Sequence, residues 1–206
     1  LLEEALWQLA YRRHPYRQPV AGYPQEIPHL TVESLRSFHK QHYQPGNALL
    51  VIAGDFDPWK AFDLIHRHYS RIPGHKPPRK EFPVEPEQNG ERRAEFQDEV
   101  ASSRFILGYH IPEAGHADTY ALDVLAEVLF SGKGSRAHTR LVTQEKKLLG
   151  ISGLAFTPAY PGLFIISGVM RVGTPAAEGE KGVEALIREI QTGTLLPARE
   201  ELEAAI

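Results

Sequence analysis

The sequence predicts an α+β fold, in which antiparallel strands are flanked by amphipathic helices. Residues 151–157 and 163–171 are apolar runs on either side of a Pro-Gly turn dipeptide, so they should pair as antiparallel neighbours. Apolar residues recur at helical spacing elsewhere, for example at Leu122, Leu125 and Leu129. Strands and helices therefore alternate along the chain.

The composition excludes several classes of function. The 206 residues, 42% of them hydrophobic, are enough to bury a substantial core. A net charge of -3, with scattered lysines and arginines, leaves no electrostatic footprint for nucleic acid. The absence of cysteine excludes disulfides, thiolate zinc sites and cysteine nucleophiles. Apolar stretches fall short of the roughly 20 residues of a membrane-spanning helix, so we expect neither nucleic acid nor membrane as partners.

The first part of the chain predicts a helix, a strand and two further helix starts. The opening helix runs to about Arg13 and is ended by a proline. Thr31 is the predicted N-cap of the next helix. Residues 48–53 are continuously apolar, which is typical of a strand buried on both faces. Asp57 followed by Pro58 is the signature of an N-cap and a first helical turn.

A proline-rich segment, residues 73–90, predicts a stiff linker between compact units. It divides the chain into an earlier domain, 1–72, and a later one, 91–206. The later domain is predicted to open with a strand pair, 91–98 and 103–111, and further helices should begin near Arg136 and include Val183 and Leu186.

Both ends of the chain predict additional sequence in the parent protein. The first residue, Leu1, is not methionine and already belongs to an apolar helical stripe. Residues 200–206 have the pattern of a helix that has only begun, without a stop signal. We therefore expect a piece upstream and a piece downstream of this chain.

Candidate metal and catalytic residues are few. His39 and His42 lie three residues apart on a predicted helix, a spacing that could place two imidazoles on one side for a metal. They have no third ligand nearby, and ordinary packing or surface positions explain them better. Asp55 and Asp57 follow the predicted buried strand, where α/β proteins often keep carboxylates, but Asp57 is already explained as a helix cap.

A glycine-rich turn, Ser131-Gly132-Lys133-Gly134-Ser135, invites comparison with a phosphate-binding loop. The phosphate-loop pattern needs a glycine where the chain has Glu127 and a hydroxyl residue where it has Gly134. A helix C-cap explains the glycines instead. Arg136, His138 and Arg140 would then form a solvated first turn of the next helix.

Several segments, in order and spacing, resemble the pitrilysin/insulinase family of zinc metallopeptidases, which includes mitochondrial processing peptidase-like proteins. These segments are HPYRQPVAG at 14–22, YQPGNA at 43–48, AGDFDP at 53–58 and GYHIP at 108–112. The resemblance covers nearly the whole chain and is most specific over the first 73 residues. It implies mostly antiparallel sheets flanked by helices, in parts of two consecutive domains of a clam-shell peptidase.

The resemblance implies a zinc endopeptidase as the parent protein, with the zinc held by an H-x-x-E-H helix and a further glutamate. No H-x-x-E-H occurs in the chain, and by order the motif would lie upstream of it. Glu3 and Glu4 look like exposed first-turn residues and not like substitutes. We therefore predict no catalytic residue and no metal ligand in this chain, and zinc as a cofactor of the parent only.

The family's second half often supplies an arginine and a tyrosine that bind the substrate carbonyl. They would fall near Gln144 and Ile151, where neither residue type is present. The resemblance implies a peptide substrate, paired with an edge strand of the first domain, and a second peptidase-like half or subunit as partner. The chain alone should be inactive. A structural or partner-binding subunit of the same fold is the alternative, and a bacterial cytoplasmic or periplasmic location stays open.

Overall fold

The computed structural model describes residues 1–74, 81–194 and 196–205. In chain order its helices and strands are α1 (Leu2–Ala10), α2 (Val32–His42), α3 (Pro58–Tyr69), β1 (Arg104–Ile111), α4 (Ala117–Phe130), a π-helix (His138–Gln144), β2 (Leu148–Phe156), β3 (Gly162–Met170), α5 (Ala176–Gln191) and α6 (Arg199–Ala204). The predicted α+β class is confirmed. Within these ranges no helix has the length and apolarity needed to cross a membrane.

The chain divides into two compact units. Unit 1 comprises Leu1–Arg17 and Glu85–Ile206, and unit 2 comprises Gln18–Val84. The grouping differs from the predicted ranges 1–72, 73–90 and 91–206, because α1 contacts β1 and so belongs with the later segment. Those ranges stay a prediction about the domains of the parent protein. Residues 75–80 of the predicted linker lie outside the described residues.

The sheet of unit 1 has the strand order β1-β3-β2, and both pairs are antiparallel. The predicted hairpin is confirmed, since β2 and β3 pair from Leu148 with Met170 to Phe156 with Leu163. A glycine is required where β3 begins. A Cβ atom at Gly162 would lie 2.0 Å from the carbonyl oxygen of Phe156, so any side chain would force the turn apart.

The main core of unit 1 lies on one face of this sheet. Leu129 of α4 and Leu141 of the π-helix are almost completely buried against Ile166 of β3. Burying such a side chain stabilises the fold by about 1.5–3 kcal/mol. Because successive strand residues point to opposite faces, Leu163 of β3 points the other way, where α1 covers it with Tyr11.

The predicted strand at 91–98 is not formed, and the predicted strand pair is wrong. β1 pairs with β3 and not with the segment before it. Residues 91–98 are all exposed except Arg92, which is partly buried. This segment is mostly charged, so it offers few apolar side chains, whereas β3 is apolar along most of its length. The longer-range partner therefore displaces the local one.

Unit 2 contains α2 and α3, and both helices begin at the predicted caps. Thr31 Oγ1 accepts a hydrogen bond from the backbone N–H of Ser34 at 3.1 Å, and Ser34 Oγ accepts one from the backbone N–H of Thr31 at 3.1 Å. Asp57 Oδ1 accepts from the N–H groups of Trp59 and Lys60 at 2.9 and 3.3 Å. Both cap predictions are confirmed.

Residues 48–53 do not form the predicted buried strand, and that prediction is wrong for this structure. Leu49 and Val51 are 90% and 75% exposed. No described residue of unit 2 is buried. A strand that is apolar on both faces needs neighbouring strands and covering layers, and the described part of unit 2 contains no strand at all. The apolar pattern is present, but the described residues of unit 2 provide no strand with which it could pair.

Candidate functional site

The two histidines of the H-x-x-H pair each contact an aromatic ring of their own helix end. The His39 ring stacks on Tyr43 with a centroid distance of 4.8 Å, and the His42 ring lies 4.5 Å from that of Phe38. The described residues contain no group of three or more histidine, cysteine, aspartate or glutamate side chains that could hold a metal ion. A zinc site of the kind the resemblance implies therefore does not fit the described side chains.

The carboxylates singled out in the sequence have local roles. Asp57 is committed to capping α3. Asp55 is exposed, as are Glu3 and Glu4 in the first turn of α1. These positions do not bring two carboxylates together in an enclosed site of the sort that acid and base catalysis needs.

The glycine-rich turn after α4 is a helix end, as predicted. Gly132 has a φ of +70°, the left-handed conformation common just beyond a helix C-terminus. The Ser135 hydroxyl donates to the Gly132 carbonyl at 2.9 Å and closes the turn. The hydroxyl is thereby engaged with the backbone and does not face a phosphate.

The predicted solvated turn at Arg136, His138 and Arg140 is wrong. The Arg136 side chain is only 14% exposed and pairs with Glu201 through Nε–Oε1 at 2.8 Å and Nη2–Oε2 at 2.6 Å. Arg140 Nη1 lies 2.8 Å from Glu189, and His138 Nδ1 is buried. The acidic partners are 49 and 65 residues further along the chain, so no local pattern could indicate them.

The ion pair between Arg136 and Glu201 of α6 shifts the pKa of both side chains. Hydrogen bonding to the Arg136 guanidinium, aided by the backbone N–H of Ala198, lowers the pKa of Glu201 from 4.5 to about 2. The same hydrogen bonds raise the pKa of Arg136. Arg136 also donates to the carbonyl of Leu196 at 2.9 Å, so one side chain fixes both the start of α6 and the segment before it.

Residues 14–16, which begin the segment most like the peptidases, pack into an aromatic cluster of unit 1. The His14 ring lies 4.3 Å from that of Tyr16 and 5.0 Å from that of Tyr160. Tyr11, 1% exposed, donates its hydroxyl to the Pro161 carbonyl at 2.7 Å. Burial raises the pKa of Tyr11 and lowers the pKa of His14. Tyr11 and His14 are therefore neutral near pH 7, and the cluster joins α1 to the β2–β3 turn.

The positions proposed for substrate-binding side chains hold neither a guanidinium nor a phenol. Gln144 ends the π-helix, and Ile151 of β2 packs against the main core. β2 itself is an edge strand with β3 as its single strand neighbour among the described residues. Leu154 and Phe156 on this strand are 50% and 45% exposed. An edge strand with exposed apolar side chains can accept an extended peptide by backbone pairing.

Unit 2 has an exposed apolar surface between residues 48–53 and α3. It forms an open groove of about 700 Å³, which we call the unit 2 groove. The groove is lined by Leu50, Ile52, Phe56, Ala61, Leu64, Ile65, His68 and Tyr69. Contiguous apolar surface of this kind marks an interaction site in a soluble protein. The sequence signal was the continuous apolar run, which we assigned to the interior.

Comparison with known proteins assigns the chain to a family. The family described as the peptidase M16 inactive domain matches residues 29–206. The chain therefore belongs to the M16 peptidase family and corresponds to its inactive domain, which confirms the resemblance to pitrilysin/insulinase zinc metallopeptidases. Consistent with that assignment, the catalytic H-x-x-E-H motif is absent from its sequence.

Several curated relatives of the chain are named as zinc proteases. The chain is 31% identical over 196 residues to the zinc protease PqqE of Helicobacter pylori, and the match covers 92% of the chain and 43% of PqqE. A crystal structure of a protease from Helicobacter pylori superposes with a TM-score of 0.89 at 27% identity, over 99% of the chain and 50% of that protein.

A further solved structure has the same fold. The peptidase M16 inactive domain from Pseudomonas fluorescens superposes with a TM-score of 0.80 at 22% identity, over 99% of the chain and 48% of that protein. The chain spans about half the length of the relatives it matches.

Proposed function

We propose that the chain is the non-catalytic part of a zinc metalloendopeptidase, and that it forms part of the wall of a clam-shell chamber in which peptides are hydrolysed. The zinc and the H-x-x-E-H helix would come from the part of the parent protein that precedes the matched segments in the family order. The observation that carries this proposal is the uncovered apolar surface of unit 2, which requires another protein surface for its burial.

The secondary structure of unit 2 is formed, but the apolar side chains that would make its core are exposed. Helices α2 and α3 are correctly capped, yet Phe38 of α2 and Phe62 of α3 are 54% and 68% exposed. Residues 48–53 expose apolar side chains on both faces, so they need strand neighbours as well as covering helices. A segment of the parent that supplies strands and helices would satisfy both needs.

The described residues of the predicted first domain, 1–72, contain no strand for the expected peptide pairing, so we place the bound peptide at the sheet edge of unit 1. β2 offers an open edge, and backbone pairing there tolerates diverse peptide sequences because the hydrogen bonds involve no side chains. The described side chains include no group that could hold a metal ion, so the chain would bind the peptide while the zinc-bearing segment of the parent performs the hydrolysis.

The experiment compares this chain with a protein extended upstream to include an H-x-x-E-H segment. Zinc content and peptide hydrolysis are measured on both, together with the His39→Ala/His42→Ala variant of each. We expect about one zinc and peptide hydrolysis in the extended protein and in its double variant, and neither in the short chain. Stoichiometric zinc in the short chain, abolished by the double substitution, would instead assign a metal site to α2.

A non-catalytic scaffold is the second candidate function, and the match to an inactive domain supports it. A scaffold would bury the same surface of unit 2 against its partner but would support no hydrolysis. Slow amide exchange at residues 48–53 in the extended protein, without zinc or hydrolysis, is the result that would select the scaffold over the peptidase.

A further inference from the structure

Glu85 is held by three successive backbone N–H groups. Those of Arg12, Arg13 and His14 donate to its carboxylate at 2.6, 2.8 and 2.9 Å. The three donors follow the C-terminus of α1, where the chain has left the helix and its N–H groups need other acceptors. A carboxylate that accepts from three consecutive backbone donors is a strong, charge-assisted contact.

Arg92, a little further along the chain than Glu85, contacts the same end of α1. Its Nη1 donates to the carbonyls of Leu9 and Ala10 at 2.6 and 3.1 Å. These carbonyls end the helix, where a cation is favourable because of the helix dipole. Between residues 81 and 101, Glu85 and Arg92 are the positions that are not exposed. The segment is thus attached to α1 through these two side chains.

We infer that Glu85 and Arg92 form a clasp that ties together the two chain connections of unit 2. Unit 2 begins at Gln18, a few residues after the three donors, and ends at Val84, immediately before Glu85. The clasp therefore joins the chain that enters unit 2 to the chain that leaves it. Neither clasp residue belongs to the main core, so we expect the loss of the clasp to leave that core folded.

The charges around Glu85 favour the closed clasp. Burial raises the pKa of Glu85, but the N–H donors of His14, Arg12 and Arg13 and the charge of Arg92 outweigh it, so the pKa lies below its usual value. The carboxylate is ionised at neutral pH. The clasp concerns the attachment of unit 2 and does not depend on the proposed peptidase function.

The test is amide hydrogen exchange, resolved by residue with NMR, on the full chain and its Glu85→Gln and Glu85→Ala variants. We expect the amides of residues 12–14 to exchange about tenfold faster or more in both variants, because each loses its charged acceptor. Amides of β3 should keep their rates. Glu87→Gln is the matched control, since Glu87 is an exposed glutamate two residues further on and should leave every rate unchanged.

Two results would overturn the clasp. Unchanged exchange at residues 12–14 in Glu85→Ala would mean that the carboxylate does not hold these groups in solution. Equal acceleration at residues 12–14 and throughout β3 would mean that Glu85 supports unit 1 as a whole. Glu85→Gln keeps the size of the side chain, so it provides the test if the alanine variant does not fold. Arg92→Gln should similarly accelerate proteolysis of the 85–92 segment, and an unchanged cleavage rate there would remove Arg92 from the clasp.

Discussion

Units 1 and 2 have equally clear sequence patterns for helix caps and apolar periodicity, but only unit 1 buries its apolar side chains. In unit 1 the helices and strands meet across a sheet and bury a continuous core. In unit 2 the helices begin at well-formed caps, yet no described residue is buried. The comparison teaches that caps and periodicity specify elements, whereas burial requires a partner surface at the right place.

The largest effect expected from this comparison is in the core of unit 1. Leu141, fully buried, and Leu49, 90% exposed, are matched leucines of the two units. Leu141→Ala should lower the free energy of unfolding by about 2–5 kcal/mol, because it leaves a cavity. Leu49→Ala should change it by less than about 0.5 kcal/mol. Urea denaturation of both variants measures the difference, and equal effects would show that residue 49 is buried in solution.

A smaller effect is expected at the caps of unit 2. Asp57→Ala removes the acceptor for two N–H groups at the start of α3 and should destabilise that helix by about 1 kcal/mol. Circular dichroism and exchange at Trp59 and Lys60 measure the loss. Asp57→Asn should restore most of it, since asparagine also caps. If alanine leaves α3 intact, contacts other than the cap hold the helix.

The smallest effect is the pH dependence of the α6 attachment in unit 1. Because the folded pKa of Glu201, about 2, lies below its usual 4.5, its pair with Arg136 stabilises the fold above pH 4.5 and is lost as the pH falls from 4.5 through 2. The Glu201 side chain is 38% exposed, so solvent screening limits the contribution to about 1 kcal/mol or less.

NMR titration of the Glu201 carboxylate, with exchange at α6, checks this pH dependence. Glu201→Gln should abolish the acid-induced loosening of α6, whereas Glu200→Gln should not. A titration of Glu201 near 4.5 would mean that the ion pair is absent in solution.

The sequence predicted those features that depend on residues close together in the chain, and it failed where the interacting residues are far apart. Thr31, Asp57 and Gly132 were assigned correctly because caps and helix ends depend on a few neighbouring residues. The β2–β3 hairpin was correct for the same reason. The partner of β1 was assigned wrongly because β3 lies some 60 residues away in sequence, where the pairing is decided by competition for apolar contact.

The site was less predictable than the fold. The aromatic contacts of His39 and His42 could be anticipated from their helix. The acceptors of Arg136 and the three donors to Glu85 could not, since each contact joins residues 60 or more positions apart. Such contacts leave no period or spacing in a single sequence.

By itself, the sequence determined the helix caps at Thr31, Asp57 and Gly132, the hairpin, the α+β class and the absence of the H-x-x-E-H motif, because each depends on residue types at short spacing. Tertiary structure alone decided that α1 packs with the later segment, that β3 is the central strand, that Glu85 and Arg92 hold the end of α1, and that residues 48–53 stay exposed. The physical reason is that burial and strand pairing depend on which surfaces come into contact. An apolar segment is stable only when another surface covers it, but its own sequence does not identify that surface.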